Sequence, residues 1–371
     1  MILNVPKEIL SKTNIRNVVQ NVCNEVNKDY NFDYGMFRIG EVGDWEVISS
    51  SQVEGKIVHV DDKVQNLASF FFIVVEMDHQ IVGFTSFHLA YSTWDGRVLF
   101  QSKTQSLSDS MEKALLFTLA HVAVKLEAQR LVWQHHPDKI PLYETLGASL
   151  LGNWLTLRMD PESINTFLFR QNIPIEISGN EDLHPMQSSI DEVLKNWSAN
   201  DDVDVLLATN LEHLNHVERL VHALAVYEKE EDAVHIKKEH FFVDGGFVDG
   251  NQPLYKCLLL RSKSKNAYFG LALFYFGFDV ERGQYLYLED LYIDEAFRGK
   301  GSGTLIMTTL ALIAKKTLCT GFVWQALDWN TLALTFYDNL GATVIDNLLT
   351  SRLCGEQIQE FLQSNPLGNG P

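Results

Sequence analysis

Short apolar runs rich in β-branched and aromatic residues alternate with segments whose apolar side chains return every three or four positions. In the second half, 203–207 reads as a strand, His213 to Tyr227 as a helix with Leu214, Val217, Leu220 and Val221 on one face, and 255–260 as another strand. Strands are predicted again over 267–278 and 285–293. They are followed by a helix over 303–316, a strand over 321–325 and a helix over 331–339 closed by Gly341. In the first half, Phe70-Phe-Phe-Ile-Val-Val75 has the same strand character. It is far shorter than the roughly 18 apolar residues a membrane span needs, so it is read as a buried strand. The order predicts a mixed central β-sheet flanked by helices, an α/β (α+β) fold.

This order is written twice. Ile81-Val-Gly-Phe84 matches Tyr268-Phe-Gly-Leu271 and Gly96 matches Gly283, both 187 positions apart. Val132-Trp-Gln134 matches Val323-Trp-Gln325 at 191, and Tyr143, Gly147-Ala148 and Arg158 match Tyr337, Gly341-Ala342 and Arg352 at 194. Even the tails agree, since Ile164 and Phe167 parallel Ile358 and Phe361. The displacement changes only twice, as two short gaps require. We therefore expect two tandem copies of one domain, 1–172 and 203–371, joined by a linker at 173–202 that is rich in turn-forming residues, with room for a short helix at 190–197.

Composition adds limits. A chain of 371 residues is too long for one ordinary core and suits two domains. Its 48 acidic and 30 basic residues give a net charge of −18, which repels polyanions and draws small cations. Nucleic acid is not an expected partner, nor is a membrane. Cys23, Cys257, Cys319 and Cys354 are scattered without a C-x-x-C pair, and the start at Met1 carries no secretory leader, so a cytoplasmic location is expected. His135-His136 is followed by Pro137 and lacks further ligands at metal spacing, so no metal is expected.

Arg298-Gly-Lys-Gly-Ser-Gly303 lies between a predicted strand and a predicted helix and reads as an anion cradle. Glycines let the backbone take positive φ and turn N–H groups inward, while the helix start and Arg298 supply positive charge. A G-x-G-x-x-G fingerprint would need glycine at Thr304 or Ile306, and a P-loop would need Lys300 to follow its last glycine, so neither fits. The loop does follow the pattern R-x-x-G-x-G. With Tyr287-Leu-Glu-Asp-Leu-Tyr-Ile293, Leu327-Asp-Trp-Asn330, Phe336-Tyr337, Leu340-Gly-Ala342, Leu224-Ala-Val-Tyr-Glu228 and Asp244-Gly-Gly-Phe247, it makes residues 203–353 resemble the diamine and thialysine acetyltransferase branch of the GNAT N-acetyltransferases.

The resemblance implies an acetyl-CoA-dependent N-acetyltransferase acting on a primary amine of a small diamine, polyamine or thialysine-like acceptor. Coenzyme contacts are implied at Leu291, Tyr292, Ile293, Arg298, Gly299, Lys300, Gly301, Ser302, Gly303, Thr304, Asn330 and Ala333. The amine pocket is implied at Tyr227, Glu228, Glu289, Asp290 and Trp324. An alkylammonium must lose a proton before it attacks, and Glu289 either takes that proton through water or holds the substrate's charge. Tyr337 is implied as the acid that protonates the departing thiolate. Two departures stand out: Glu281 replaces the family's tryptophan before Gly283, and Thr350-Ser351 replaces a Glu-x-Trp.

In the first copy, Arg298, Lys300, Gly301 and Gly303 become Leu107, Asp109, Ser110 and Glu112, and Glu289-Asp290 becomes Ser102-Lys103. Carboxylates in a phosphate cradle oppose binding, so this copy is expected to be non-catalytic. It keeps the hairpin tryptophan as Trp94, and members of the branch shape each other's acceptor sites as homodimers. The degenerate copy is therefore expected to serve as a built-in partner, with the chain a monomer. A protein lysine or N-terminal acceptor, or a non-enzymatic acyl-CoA-binding module, are the alternative readings.

Overall fold

A computed structural model describes residues 12–29, 36–39, 70–173, 186–196, 202–234, 236, 238–247 and 253–364. The first copy runs α1 (Lys12–Asp29), β1 (Met36–Ile39), β2 (Phe70–Met77), β3 (Gln80–Ser92), β4 (Gly96–Gln105), α2 (Asp109–Lys125), β5 (Arg130–His135), α3 (Ile140–Glu144), β6 (Ser149–Leu150), β7 (Trp154–Met159) and α4 (Pro161–Arg170). After α5 (Met186–Asn196), the second runs β8 (Val203–Leu207), α6 (Leu211–Glu228), α7 (Lys238–Asp244), β9 (Lys256–Ser262), β10 (Ala267–Asp279), β11 (Gly283–Ile293), α8 (Ser302–Lys316), β12 (Phe322–Leu327), α9 (Thr331–Leu340), β13 (Thr343–Val344), β14 (Leu349–Cys354) and α10 (Glu356–Gln363). Among the described residues no helix is long and apolar enough to cross a membrane.

Local chemistry sets these boundaries. Asn210 caps α6 by accepting from His213 N–H, which starts that helix two residues before the predicted His213. Gly96 and Gly283 turn the two long hairpins at φ of 93° and 97°. The helix expected inside the linker is α5, and its Ile190 and Val193 are buried in the second core beside α8; Trp197 lies outside the described residues, as do 174–185 and 197–201.

Two seven-stranded mixed sheets result, ordered β1-β2-β3-β4-β5-β14-β6 and β8-β9-β10-β11-β12-β7-β13. Each copy has given its last long strand to the other. β14 pairs antiparallel with β5, Ser351 opposite Trp133, while β7 pairs with β12, Leu157 opposite Trp324. The following helices go with their strands: Ile358 and Phe361 lie in the first core and Ile164 and Phe167 in the second, with Phe361 edge-on to Phe117 at 5.9 Å. The exchange runs across the predicted linker, so neither sheet is built from one side of it alone. Gln325 Nε2 donates to Thr156 at 3.2 Å and Thr350 at 2.9 Å, tying the two exchanged strands together.

The copies also meet face to face. Ala90 and Val98 of the first pack with Tyr275, Tyr285, Tyr287 and Val323 of the second, and Tyr91 stacks on Tyr255 at 4.4 Å. The edge strands break the symmetry, because β1 follows α1 whereas β8 precedes α6.

Candidate active site

The site grows from an irregularity in β11. Leu273 faces Asp290 and Phe274 faces Leu288, so Glu289 is the extra residue of a β-bulge. Neighbours on a regular strand point to opposite faces; the bulge lets Glu289 and Asp290 line one cavity together. β4 carries the same bulge at Ser102, between the pairs Ser86–Lys103 and Phe87–Gln101. The first copy has the same backbone device, with Ser102 and Lys103 in place of the two carboxylates.

Beyond β11 the chain enters the glycine loop. Gly299 and Gly301 have φ of 70° and 81°, and Gly301 is the left-handed N-cap of α8. No atom lies within 4 Å of a Cβ built on either, so what the loop requires of them is backbone conformation rather than space. At Gly303 a Cβ would sit 3.1 Å from the ring of Phe336. The first N–H groups of α8 have no intrahelical acceptor and carry the positive end of its dipole. Arg298 is fixed by its Nε–H, which donates to Ile293 O at 2.8 Å, and its guanidinium lies over Tyr227 at 4.8 Å and Tyr292 at 5.6 Å. These groups suit the diphosphate of a coenzyme.

One cavity of about 1160 Å³ joins the loop to the bulge. Arg298, Gly299, Gly301, Gly303 and Thr304 line one part, with Leu291, Tyr292, Ile293, Asn330 and Ala333 beside them; Tyr227, Glu228, Glu289, Asp290, Trp324 and Tyr337 line the rest. Lys300 and Ser302 do not line it. Lys300 Nζ donates to Ala296 O at 2.7 Å, and the Ser302 side chain is buried under the helix start, leaving only their main chain near the cradle. Asn330 spends its side-chain oxygen on capping α9, accepting from Ala333 N–H at 3.2 Å.

Electrostatics divide the cavity. Burial, then the neighbouring Asp290, holds the Glu289 carboxyl well above the usual range. Burial lifts Asp290 to about 6, with Thr93 and Arg130 drawing it back; the Thr93 hydroxyl approaches without closing a well-formed hydrogen bond. Glu228 is pushed up to about 8 by burial, Asp290 and Glu230. Near neutral pH Glu289 and Glu228 therefore hold protons that an entering cation would displace, beside an Asp290 that is mostly ionised. Tyr337 is 7% exposed, and burial and Glu228 raise its phenol well above the ordinary value, which keeps its proton in place. Its ring lies 5.1 Å from that of Trp324.

Part of the wall comes from across the exchange: Trp94, Asp95, Arg130 and Trp154 from the first copy, with Arg352 and Cys354 of β14. Asp95 and Arg130 form an ion pair there. Trp94 was marked in the sequence as a retained residue. Arg352 carried only its repeat match to Arg158, and Asp95 and Arg130 carried no signal, because only the swapped strand and the face-to-face packing bring them near β11.

The corresponding places in the first copy are occupied by paired side chains. Tyr143 donates to Glu112, which also receives Lys139 Nζ at 2.9 Å. Lys103, standing where Asp290 stands in the second copy, pairs with Glu281 at 2.6 Å, and Glu281 is the residue that replaced the hairpin tryptophan. His135 Nε2 lies 2.7 Å from Ser351 Oγ and Nδ1 2.9 Å from His136 O, an ordinary buried pattern.

Residues 218–342 match the Acetyltransferase (GNAT) family. Thialysine N-epsilon-acetyltransferase of Bos taurus is 35% identical over 152 residues, 38% of this chain and 88% of that protein. Spermidine/spermine N(1)-acetyltransferase-like protein 1 of Homo sapiens is 32% identical over 129 residues, 33% of this chain and 18% of its own length. Among solved structures, a tandem GNAT protein from the clavulanic acid biosynthesis pathway overlays 86% of this chain and 98% of its own at 12% identity with a TM-score of 0.46. The chain belongs to the GNAT family of acetyltransferases and is an N-acetyltransferase.

Proposed function

We propose that the enzyme transfers acetyl from acetyl-CoA to a primary amine of a small acceptor, a diamine, polyamine or thialysine-like compound, at a single site in the second copy. The observation carrying this reading is the convergence of Glu228, Glu289 and Asp290 on the cavity that begins at the glycine loop. Buried acids at that density make a receptor for an alkylammonium and oppose a neutral or anionic acceptor. The names of the bovine and human relatives point to the same class of compound.

In this scheme the coenzyme supplies an acyl group activated as a thioester. The Gly299–Thr304 main chain and Arg298 hold its diphosphate, Leu291 to Ile293 and Ala333 flank its arm, and Asn330 starts the helix that presents Tyr337. A main-chain N–H near Leu291 or Tyr292 faces the carbonyl oxygen. Glu289, ionised once the ammonium is bound, takes one of its protons through water, and the neutral amine then attacks the carbonyl carbon. Tyr337 gives its proton to sulfur as the C–S bond breaks, and the second proton shed by the nitrogen restores the phenol. The first copy performs no transfer, since its own Glu112 and Lys103 fill the two ends of its site. It serves as a permanent partner, which makes the chain a monomer. All four cysteines are free thiols, in keeping with a reducing, cytoplasmic setting.

The test is to incubate purified protein with acetyl-CoA and a panel of spermidine, putrescine, thialysine, aryl-alkyl amines and lysine peptides, reading product masses. Acetylated small amines are expected. Acetylation confined to peptides, or coenzyme binding with no product, overturns the reading.

A further inference from the structure

Two arginines, Arg130 and Arg352, also line the acid-lined cavity, and neither is fully used by the protein. Arg130 gives one Nη to Asp95, yet its Nε–H is buried without an acceptor. The Arg352 guanidinium has no hydrogen-bond or ion-pair partner among the described residues, and its Nε–H is buried and unpaired as well. The two lie close enough that each cation opposes the charge of the other, with Asp95 and Glu230 as the compensating acids nearby. Orphaned buried donors on adjacent cations are an arrangement a folded chain rarely keeps unless something else accepts from them.

The duplication supplies an internal control. Arg158 holds the position of Arg352 in the other exchanged strand, and it donates to Thr320 O at 2.6 Å while covering Gly321. Where Gly321 leaves that seat open, the first copy has Arg130 instead, and the carbonyl matching Thr320, that of Gln129, accepts from Gly355 N–H. Arg352 is thus denied the resting place its counterpart has, and it lines the cavity beside a second guanidinium.

We infer that Arg352 and Arg130 form a carboxylate subsite and that the preferred acceptor is a diamino monocarboxylic acid, its carboxylate on the arginines and its distal amine at Glu228, Glu289 and Asp290. The inference rests on the small-amine reading above and narrows it. A guanidinium pairs with a carboxylate through charge-assisted hydrogen bonds, whereas a polyamine would bring a second ammonium against two fixed cations.

Substrate pairs that differ only in the carboxylate test it: ornithine against putrescine, and lysine against cadaverine, with kcat/KM measured on the full chain. The carboxylated member of each pair is expected to be favoured by roughly ten- to a hundredfold, the range of one or two charge-assisted hydrogen bonds. In Arg352→Met that preference collapses toward unity, and Arg352→Lys restores part of it. Equal or better use of putrescine and cadaverine by the wild-type protein, or a variant that loses both members of a pair in equal proportion, overturns the subsite while leaving the small-amine reading intact. Failure to acetylate any of the four compounds or any other amine overturns both.

Discussion

Tyr143 donates its phenolic hydrogen to the carboxylate of Glu112, and these two residues hold in the first copy the positions of Tyr337 and Gly303 in the second. One tyrosine is spent on an internal bond and its counterpart lines an open cavity. Matched substitutions should separate them. Tyr143→Phe leaves a buried acid short of a donor and is expected to cost about 1–3 kcal/mol in chemical denaturation with turnover unchanged. Tyr337→Phe is expected to lower kcat by roughly a hundredfold or more at little cost in stability. Unaltered turnover in Tyr337→Phe would remove it from the chemistry.

Coenzyme affinity should depend on the backbone of Gly301. A valine there must hold φ near 81°, at a strain of about 1–2 kcal/mol, or give up the conformation that starts α8. Calorimetric titration of Gly301→Val with CoA is expected to show binding weakened by at least tenfold while circular dichroism keeps the native helix signal. Undiminished affinity would mean that the cradle lies elsewhere.

The crowded acids predict a pH dependence of stability. Glu228 titrates at about 8 and Asp290 at about 6 in the folded protein, both above the ordinary carboxylate range of the unfolded chain. Between those limits the native state binds more protons than the unfolded state, so these groups lower stability as pH rises from about 4.5 to 8. Glutamine mimics the protonated acid. Glu228→Gln is therefore expected to gain in melting temperature relative to wild type as pH increases through that window, measured without ligands; parallel curves would place Glu228 in contact with water.

The strand exchange predicts that the copies cannot be separated. Residues 203–371 alone lack β7 and α4, exposing one edge of β12 and removing Leu157, Met159, Ile164 and Phe167 from the second core. Expressed alone, this fragment is expected to be unstable or inactive, whereas the full chain sediments as a monomer. An active, cooperatively folding fragment would dissociate catalysis from the first copy.

Periodicity placed β8, α6, β9, β10, β11, α8, β12 and α9 to within a few residues, because each burial pattern is local to its helix or strand, while α7, β13, β14 and α10 had no predicted counterpart. The backbone of the glycine loop was equally legible, since positive φ at Gly299 and Gly301 and a helix start at Ser302 are properties of neighbouring residues. So was the loss of the cradle in the first copy, where Leu107 and Glu112 replace a cation and a glycine.

The partners of each strand were not legible. β7 and β14 share the pattern Leu-Thr-x-Arg, so either sheet accepts either strand by sequence alone, and the order of the sheets shows that they are exchanged. From that exchange follow the placement of Arg352 beside Arg130, the approach of both to the bulge at Glu289, and the contrast with Arg158 resting on Thr320. A sequence fixes which side chains want burial, charge or a turn. Which distant groups must share one cavity is decided by tertiary packing, and here burial in that shared cavity raises the carboxyls of Glu228, Glu289 and Asp290.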